Sequence, residues 1–224
     1  MEAVNIIALS MGAAWASGIN LYATIVMLGY MGMTGNIDLP PGLEVLSDPM
    51  VMGAAAVMYC VEFFADKVPG VDSGWDTLHT FIRIPAGAML AAGAIGDVTP
   101  ALELTTAILG GALAAGSHAT KAGTRLLINT SPEPVSNWTA SITEDLLVIG
   151  GLWTALNHPT IFIVSLIVFI ILMVLLLPRL WRLLKKVFQR VGSWFGLCDA
   201  PPVIPMPSAP LIDNVIEQSN KSKL

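Results

Sequence analysis

Ala16-Ser17-Gly18-Ile19-Asn20 interrupts one long apolar stretch of this chain, and Ala115-Gly116-Ser117-His118 interrupts another. When the two inserts are aligned on their glycines, Asn20 falls on His118, and each stretch continues into a loop that contains proline. Matching polar breaks in two apolar helices are typical of secondary transporters, whose broken helices bind a solute near the bilayer midplane. We therefore predict two broken helices, with Asn20 and His118 at mid-depth on a polar path.

The composition is that of a membrane protein. Of the 224 residues, 54% are hydrophobic and 12% are charged, and the mean hydropathy is +0.71. Soluble domains carry about 25% charged residues. We predict an all-α integral membrane protein with a transmembrane domain over residues 1–178. A basic amphipathic helix on the membrane surface (179–197) and a disordered, proline-rich cytoplasmic tail (198–224) are expected to follow.

Six apolar segments are candidate transmembrane helices, because about 20 apolar residues cross the hydrocarbon core. They are residues 4–33, 50–66, 75–96, 101–129, 141–157 and 160–177. The first and fourth are too long for one straight crossing, so they must tilt, extend beyond the bilayer or change direction at their inserts. Three segments in each half predict a 3+3 inverted repeat, made of about residues 3–97 and 100–178.

The basic residues orient these segments through the positive-inside rule. Lys67, Lys121, Arg125 and the five basic residues between Arg179 and Arg190 fall on one side if each segment crosses once. The loops on the other side contain acidic residues and neither lysine nor arginine. We therefore expect both termini in the cytoplasm. Re-entrant hairpins in both long segments would move Lys67 outside, so the charge pattern disfavours them.

The densest group of ionisable residues follows the second segment. Glu62 and Asp66 are four residues apart and share one helix face, whereas Asp76, His79 and Arg83 are three and four apart and share another. Turn-forming residues between the two sets fold one helix back on the other. We therefore predict a polar pocket at the cytoplasmic end of the bundle, with Glu62 as its deepest carboxylate.

This pocket has a functional and a structural interpretation. A charge buried in lipid costs at least about 2.5 kcal/mol on insertion scales, so it needs a partner or a water-filled cavity. The functional interpretations are proton coupling, cation coordination, or a gating salt bridge from Glu62 to Arg83 or Lys121. The structural one is an ion-pair network that holds the loop in place. Asp72 either belongs to the pocket or acts as a turn residue or helix cap.

The fourth segment carries a polar stripe of its own. His118, Lys121 and Arg125 recur at spacings of three and four, so they lie on one helix face. They are candidates for a solute path or an anion contact. Lys121 and Arg125 could instead extend to the headgroups, or neutralise the carboxylates of the second segment across the bundle.

The fifth segment opens with a helix-start pattern. Ser141-Ile-Thr-Glu144 matches a capping box, which predicts that the helix begins there and assigns Glu144 to the cap. Asp145 gains from the same helix dipole. The two cysteines, Cys60 and Cys198, have no spacing typical of a metal or disulfide site.

Two runs resemble the hallmarks of a known family. The first is Glu62-Phe-Phe-Ala-Asp66-Lys-Val-Pro-Gly-Val-Asp72-Ser-Gly-Trp75-Asp76-Thr-Leu-His79-Thr-Phe-Ile-Arg83-Ile-Pro85-Ala-Gly87. The second consists of Ser117-His118-Ala-Thr-Lys121-Ala-Gly-Thr-Arg125 and Asn129-Thr-Ser-Pro-Glu-Pro-Val-Ser-Asn137-Trp138. They are similar to the motifs of a bacterial multi-pass membrane family, domain of unknown function 4126, over about residues 10–160. The resemblance implies a bacterial inner-membrane protein, and it implies no activity.

From the residues themselves we predict a small-solute or ion transporter or channel. The expected partners are the lipid bilayer and a small solute or ion, with a homo-oligomer left open. No cofactor is predicted, and no nucleic acid, because no basic patch is interleaved with exposed aromatic residues. Two alternatives remain: a membrane-embedded lipid-headgroup enzyme or flippase that uses the carboxylates with a divalent ion, and a non-catalytic membrane assembly subunit. Among the three interpretations, we favour those in which the protein is not an enzyme.

Overall fold

In a computed structural model, the protein is described over residues 3–68, 70–129 and 134–194, and these residues form helices and no strands. The helices are α1 (Ala3–Met33), a short 3-10 helix (Pro41–Ser47), α2 (Pro49–Ala65), α3 (Val71–Ala94), α4 (Pro100–Ile128), α5 (Pro134–Asn157) and α6 (Pro159–Trp194). The described chain up to Leu184 forms one compact unit, and the described residues from Lys185 to Trp194 belong to a second. The tail predicted to be disordered, residues 198–224, lies outside the described residues.

Local sequence signals begin several of these helices. The Asp48 carboxylate accepts hydrogen bonds from the amides of Met50 (2.7 Å) and Val51, and so caps α2. Thr99 caps α4 in the same way, and both helices have proline in their first turn, where no amide is needed. Gly70 precedes α3 at a φ of 88°, a backbone conformation that favours glycine.

Helix α1 is broken at Asn20, as the sequence predicts. Asn20 has φ −146° and ψ 99°, outside the helical region. Its side-chain oxygen accepts from the amide of Ala23 at 3.0 Å, and the Thr24 hydroxyl donates to its carbonyl at 2.8 Å. This is the geometry of an N-cap. Asn20 therefore ends one helix and begins the next within the protein interior.

The first half of α1 runs antiparallel to α5. Gly12 packs against Ala155, close to the C-terminal end of α5. Asn20 donates to Asp145 at 3.0 Å, near the middle of α5. The chain therefore starts where α5 ends and moves toward the middle of the bundle.

The second half of α1 returns to the end from which the first half came. Tyr30 lines a cavity of about 600 Å³ together with Asn157, the last residue of α5. The 3-10 helix that follows lies at the same end, because Gly42 packs against Gly93 near the end of α3. Both ends of α1 therefore lie at one end of the bundle, with Asn20 at the apex. This corrects the expectation that the first segment crosses the bundle once.

We name the two ends of the bundle by their charges. The acidic end, where α3 and α5 finish, carries the acidic residues of the 3-10 helix and of the connecting loops, namely Glu44, Asp38, Asp48 and Asp97. The basic end lies opposite and contains Lys67 in the turn between α2 and α3.

Helix α4 is continuous, so the expected second break at residues 115–118 is wrong. The Ser117 hydroxyl donates to the carbonyl of Trp15 on α1 at 2.9 Å and also bonds within its own helix. Gly18 packs directly against Ala114 and Ser117. Small residues in α4 therefore serve close packing against α1 rather than a change of direction. Because α1 doubles back and α4 runs straight, the six-span inverted repeat is not confirmed.

Helix α6 continues through Pro178, where we expected the last span to end. A proline removes one backbone donor but leaves the neighbouring helical bonds in place. The Arg179 guanidinium donates to the carbonyl of Leu175, and that of Arg182 donates to the carbonyl of Pro178. The surrounding leucine, lysine and arginine residues are good helix formers, which favours continuation.

The described part of the chain has the surface of a membrane protein. Two helices, Ala3–Met33 and Pro159–Leu183, are long and apolar enough to cross a bilayer, and a third candidate is the 3-10 helix joined to α2 at 68°. Large apolar side chains also point outward from the helices that carry buried charges. Phe81 on α3 is 81% exposed, and Leu104 on α4 and Leu146 on α5 are exposed as well. Lipid is the environment that such a surface favours.

We predict that Gly87→Ala lowers the temperature of thermal unfolding in mild detergent. The new methyl group would overlap the side chains of Ala114 and Ser17, where α1, α3 and α4 meet. Overpacking of this kind costs about 1–3 kcal/mol. Gly53→Ala is the matched control, because nothing lies within 4 Å of its added carbon. Equal unfolding temperatures for the two variants would contradict this three-helix contact.

Candidate functional site: a buried ion-pair network

Seven charged side chains from four helices meet in the interior. We call them the ion-pair network: Glu62, Asp66, Asp76, Arg83, Lys121, Arg125 and Glu144. Six of the side chains are at most 5% exposed, and Glu144 is 14% exposed. Charges at this depth are rare in proteins unless they are paired.

Arg83 joins α2, α3 and the break in α1. Its Nη2 donates to Glu62 Oε1 at 2.5 Å, and its Nη1 lies 3.3 Å from Asp76 Oδ1. The same Nη1 reaches the carbonyl of Gly18 at 3.4 Å. Gly18 lies in the last turn before the break, where carbonyls lack partners within the helix. The break therefore presents a backbone acceptor to the buried cation.

Lys121 lies at the centre of the four carboxyl groups. Its Nζ is 3.1 Å from Glu62, 3.0 Å from Asp66, 3.5 Å from Glu144 and 3.7 Å from Asp76. An ammonium group has three donors, so it cannot bond to all four at once. Its hydrogen bonds go to Glu62 and Asp66, whereas Glu144 and Asp76 lie only within ion-pair distance.

Arg125 closes the network toward the basic end. Its Nε and Nη2 bond to the two oxygens of Glu144 at 3.0 and 2.7 Å, a bidentate pair. Its Nη1 donates to the carbonyls of Asp66 (3.0 Å) and Asn137 (3.1 Å). One guanidinium thus connects α4 and α5 with the turn that follows α2.

His118 contacts the network as a neutral ring. Arg83 Nη1 lies 3.2 Å from His118 Nδ1, and a guanidinium can only donate. Nδ1 must therefore be unprotonated. His118 Nε2 donates to the carbonyl of Asp76 at 3.1 Å and lies 2.8 Å from the Thr80 hydroxyl. His118 thus adds no charge to the network.

A second polar group lies at the apex of α1. Asp145 accepts from the Asn20 amide at 3.0 Å and from the Tyr59 hydroxyl at 3.1 Å. Asp145 follows Glu144 in α5, so this group adjoins the ion-pair network. A carboxylate is also favourable beside Asn20, because the second half of α1 begins there.

Two predicted site residues lie outside the network. Asp72 accepts from the amides of Gly70 (2.9 Å) and Ser73 (2.6 Å) and from the side chain of Asn129, so it stabilises the turn before α3. His79 stacks on Trp75 with ring centroids 4.3 Å apart. Its Nδ1 lies 2.9 Å from the Trp75 carbonyl, and its Nε2 lies 3.0 Å from the Tyr22 hydroxyl.

Lys67, in the turn after α2, is a buried cation that forms no salt bridge with any described residue. Its Nζ lies 2.8 Å above the Phe63 ring and donates to the Phe63 carbonyl at 2.9 Å. Burial lowers the pKa of this ammonium, and the carboxylates of Asp145 and Asp66 oppose that shift.

The sequence interpretation missed one member of the network. Glu144 was assigned to a capping box, but α5 begins at Pro134, so residues 141–144 lie well inside the helix. The available signal was the pair Glu144 and Asp145 in an otherwise apolar segment. Six predicted residues do meet in the network: Glu62, Asp66, Asp76, Arg83, Lys121 and Arg125.

Two cavities approach this region from opposite ends. The α4–α5 cavity, about 630 Å³, reaches Lys121 and Glu144 from the basic end and has Ile128 and Ser136 in its wall. The α1–α5 cavity is the one that contains Tyr30 and Asn157, and it reaches Tyr59 from the acidic end. Within the described parts of the chain, no three His, Cys, Asp or Glu side chains are grouped to hold a metal ion.

The chain belongs to the family described as "Domain of unknown function (DUF4126)", whose model matches residues 7–179. The matched region includes every member of the ion-pair network. No curated protein and no solved structure matches the chain.

We predict that Arg83→Met destabilises the protein by about 3–5 kcal/mol, because it leaves Glu62 and Asp76 without their cation. Thermal unfolding in mild detergent measures the effect. Adding Glu62→Gln to this variant should recover part of the loss, because it removes one unpaired charge. Arg182→Met, at an exposed arginine of α6, is the matched control. Wild-type stability of Arg83→Met would show that the pair is not formed.

Proposed function

We propose that this family member is a small-solute or ion transporter of the plasma membrane. In the proposal, α2 to α6 cross the bilayer and α1 re-enters it from the acidic end. The observation that carries the proposal is the buried ion-pair network beside the apex of α1.

Stability alone gives little reason for such a network. A charged residue at the centre of a bilayer costs about 2.5–3.5 kcal/mol on insertion scales. Replacing a buried ion pair by apolar residues of similar volume is often neutral or stabilising. Charges inside a membrane domain are therefore first interpreted as part of a path or a coupling site.

The break in α1 supports the same interpretation. Non-helical backbone at membrane depth is tolerated where protein buries it or where it lines a cavity. In many transporters, the ends of half-helices at the midplane bind substrate or coupling ions. Here the end of one half-helix meets Arg83 through the Gly18 carbonyl, and the start of the other meets Asp145 through Asn20.

The two cavities indicate where access would open. Glu144 lines the α4–α5 cavity, and the adjacent Asp145 bonds to Tyr59, which lines the α1–α5 cavity. Glu62 and His118 are both buried and line neither cavity, so this conformation is closed around them. We propose that movement of α5 exposes the network alternately to the two cavities.

The flippase alternative is supported by the character of the α4–α5 cavity. Its wall is largely apolar, with Trp15, Leu147 and Phe169, and Lys121 and Glu144 contribute charge. An amphiphile with a charged headgroup has matching chemistry. The non-catalytic assembly subunit stays a prediction.

We predict that Glu62→Gln abolishes transport in proteoliposomes. A pH-sensitive dye reports proton flux, and light scattering reports uptake of glycerol and urea; a fluorescent phosphatidylserine with dithionite quenching reports lipid movement. Wild-type protein should exceed empty vesicles with at least one probe, and Glu62→Gln should not. Glu103→Gln is the control, because Glu103 is an exposed acid in the first turn of α4.

Each outcome of this screen decides something. Unchanged flux in Glu62→Gln would remove Glu62 from the mechanism. Flux of the lipid probe alone would favour the flippase. Wild-type protein that matches empty vesicles with every probe would count against both activities.

We also predict that the start of α1 and the Lys67 turn lie on opposite sides of the membrane. This replaces the expectation of two cytoplasmic termini, because both ends of α1 lie at the acidic end. By the positive-inside rule, the basic end faces the cytoplasm. In a background without native cysteines, Val4→Cys and Asp97→Cys should react with an impermeant maleimide added outside, and Val68→Cys should not. Labelling of Val4→Cys and Val68→Cys from the same side would contradict the re-entrant α1.

A further inference from the structure

The charges of the ion-pair network do not balance. Its four carboxyl groups face three cations, Arg83, Lys121 and Arg125. His118 is neutral because its Nδ1 accepts from Arg83. With every carboxyl ionised, the network would carry one net negative charge in a nearly sealed interior, where an uncompensated charge is strongly unfavourable.

Three of the carboxyl groups also have one oxygen without a donor. Glu62 Oε2, Asp66 Oδ1 and Asp76 Oδ2 are buried, and they have no hydrogen-bond partner among the residues that the structure describes. A buried acceptor without a partner is costly, and more so when it is charged. Binding of a proton to one of these oxygens removes both the excess charge and part of this cost.

Asp76 has the weakest pairing of the four. Its nearest cations are Arg83 at 3.3 Å and Lys121 at 3.7 Å, and both approach the same oxygen. Glu62 lies 2.5 and 3.1 Å from the same two cations. Glu144 is held by the bidentate pair with Arg125 at 2.7 and 3.0 Å. The carboxyl group that gains least from being ionised is therefore that of Asp76.

The groups around Asp76 come from every helix packed against the network. The charged or titratable ones are Tyr22 on α1, Tyr59 and Glu62 on α2, Asp66 and Lys67 in the following turn, His79 and Arg83 on α3, His118, Lys121 and Arg125 on α4, and Glu144 and Asp145 on α5. Beyond the network, Lys67 and Asp145 carry opposite charges. They leave the network's excess of one negative charge unchanged, with a neutral His79 whose Nδ1 donates to the Trp75 carbonyl and whose Nε2 accepts from the Tyr22 hydroxyl.

We infer that the ion-pair network binds one proton in its closed conformation, carried by the carboxyl group of Asp76. The reaction is the addition of one proton to one carboxylate oxygen, which takes the network from one net negative charge to zero. If the protein transports a solute as proposed, this proton is the coupled ion, and that part of the inference rests on the proposed function. As a statement about protonation, it can be tested without any transport assay.

Infrared spectroscopy of the full-length protein in lipid at neutral pH tests the inference. A protonated carboxyl group gives a carbonyl-stretch band distinct from that of a carboxylate, and the band shifts in D₂O. We expect one such band in wild-type protein and its complete loss in Asp76→Asn. Glu103→Gln, at an exposed acid of α4, should retain the band.

Charge balance predicts the effect of two further variants. Glu62→Gln removes one negative charge, so Asp76 should ionise and the band should disappear although Asp76 is still present. Lys121→Met removes one positive charge, so a second carboxyl group should take up a proton. The integrated intensity of the band should then roughly double. A single buried acid that is neutral only because of its local environment would not respond in this way.

The outcomes separate this inference from the transport proposal. Absence of the band in wild-type protein, or its persistence in Asp76→Asn, would overturn the proton bound by the network, and a band that does not shift when the aspartate carboxyl carbons are labelled with ¹³C would overturn the assignment to Asp76. Thermal stability that rises with Na⁺ or K⁺ relative to choline would assign the balancing charge to a metal cation instead. If the infrared band is present but proteoliposomes show no proton flux, the network binds a proton and that proton is not coupled to transport. Glycerol or urea uptake without the band would support the transport proposal and overturn the bound proton.

Discussion

The ammonium of Lys121 lies between 3.0 and 3.7 Å from four carboxyl groups that three helices contribute. A cation in a nearly sealed interior must be surrounded by acceptors, and acids at the same depth must be surrounded by cations. Helices α2, α3, α4 and α5 satisfy this requirement jointly, because none of them carries a complete set of partners. The arrangement of the bundle is therefore tied to the pairing of its charges, alongside a buried apolar core that includes Leu28, Val148 and Leu152.

The break at Asn20 meets a second requirement of the same interior. Ending a helix at this depth exposes carbonyls on one side and amides on the other, and each needs a partner. Arg83 donates to the Gly18 carbonyl. The side-chain oxygen of Asn20 accepts from the Ala23 amide, and its side-chain nitrogen donates to Asp145. The charged network and the broken helix thus support one another. A purely apolar bundle would leave the Gly18 carbonyl and the Asn20 amide without these partners.

Spacing along the chain predicted much of the candidate site. The four-residue step from Glu62 to Asp66 and the step from Lys121 to Arg125 place each pair on one helix face, and these faces do meet. Glu144 was missed because a local pattern, the capping box, explains it equally well. Asp72 was included because it lies close in sequence to the acidic group, whereas its oxygens are occupied by Asn129 and the turn before α3. Local spacing shows which residues share a helix face, but it does not show which helix packs against that face.

The sequence by itself determined the helical class, the membrane character, the position of the break in α1 and the pairs of charges that share a face. These depend on hydropathy, on capping residues and on the helical repeat, all of which act between near neighbours. Only the tertiary structure decided that α1 doubles back, that α4 continues through its small residues, and that Lys121 lies among four carboxyl groups. A glycine and serine insert is compatible with a turn and with a close helix crossing. Which one forms depends on the partners that distant helices place beside it.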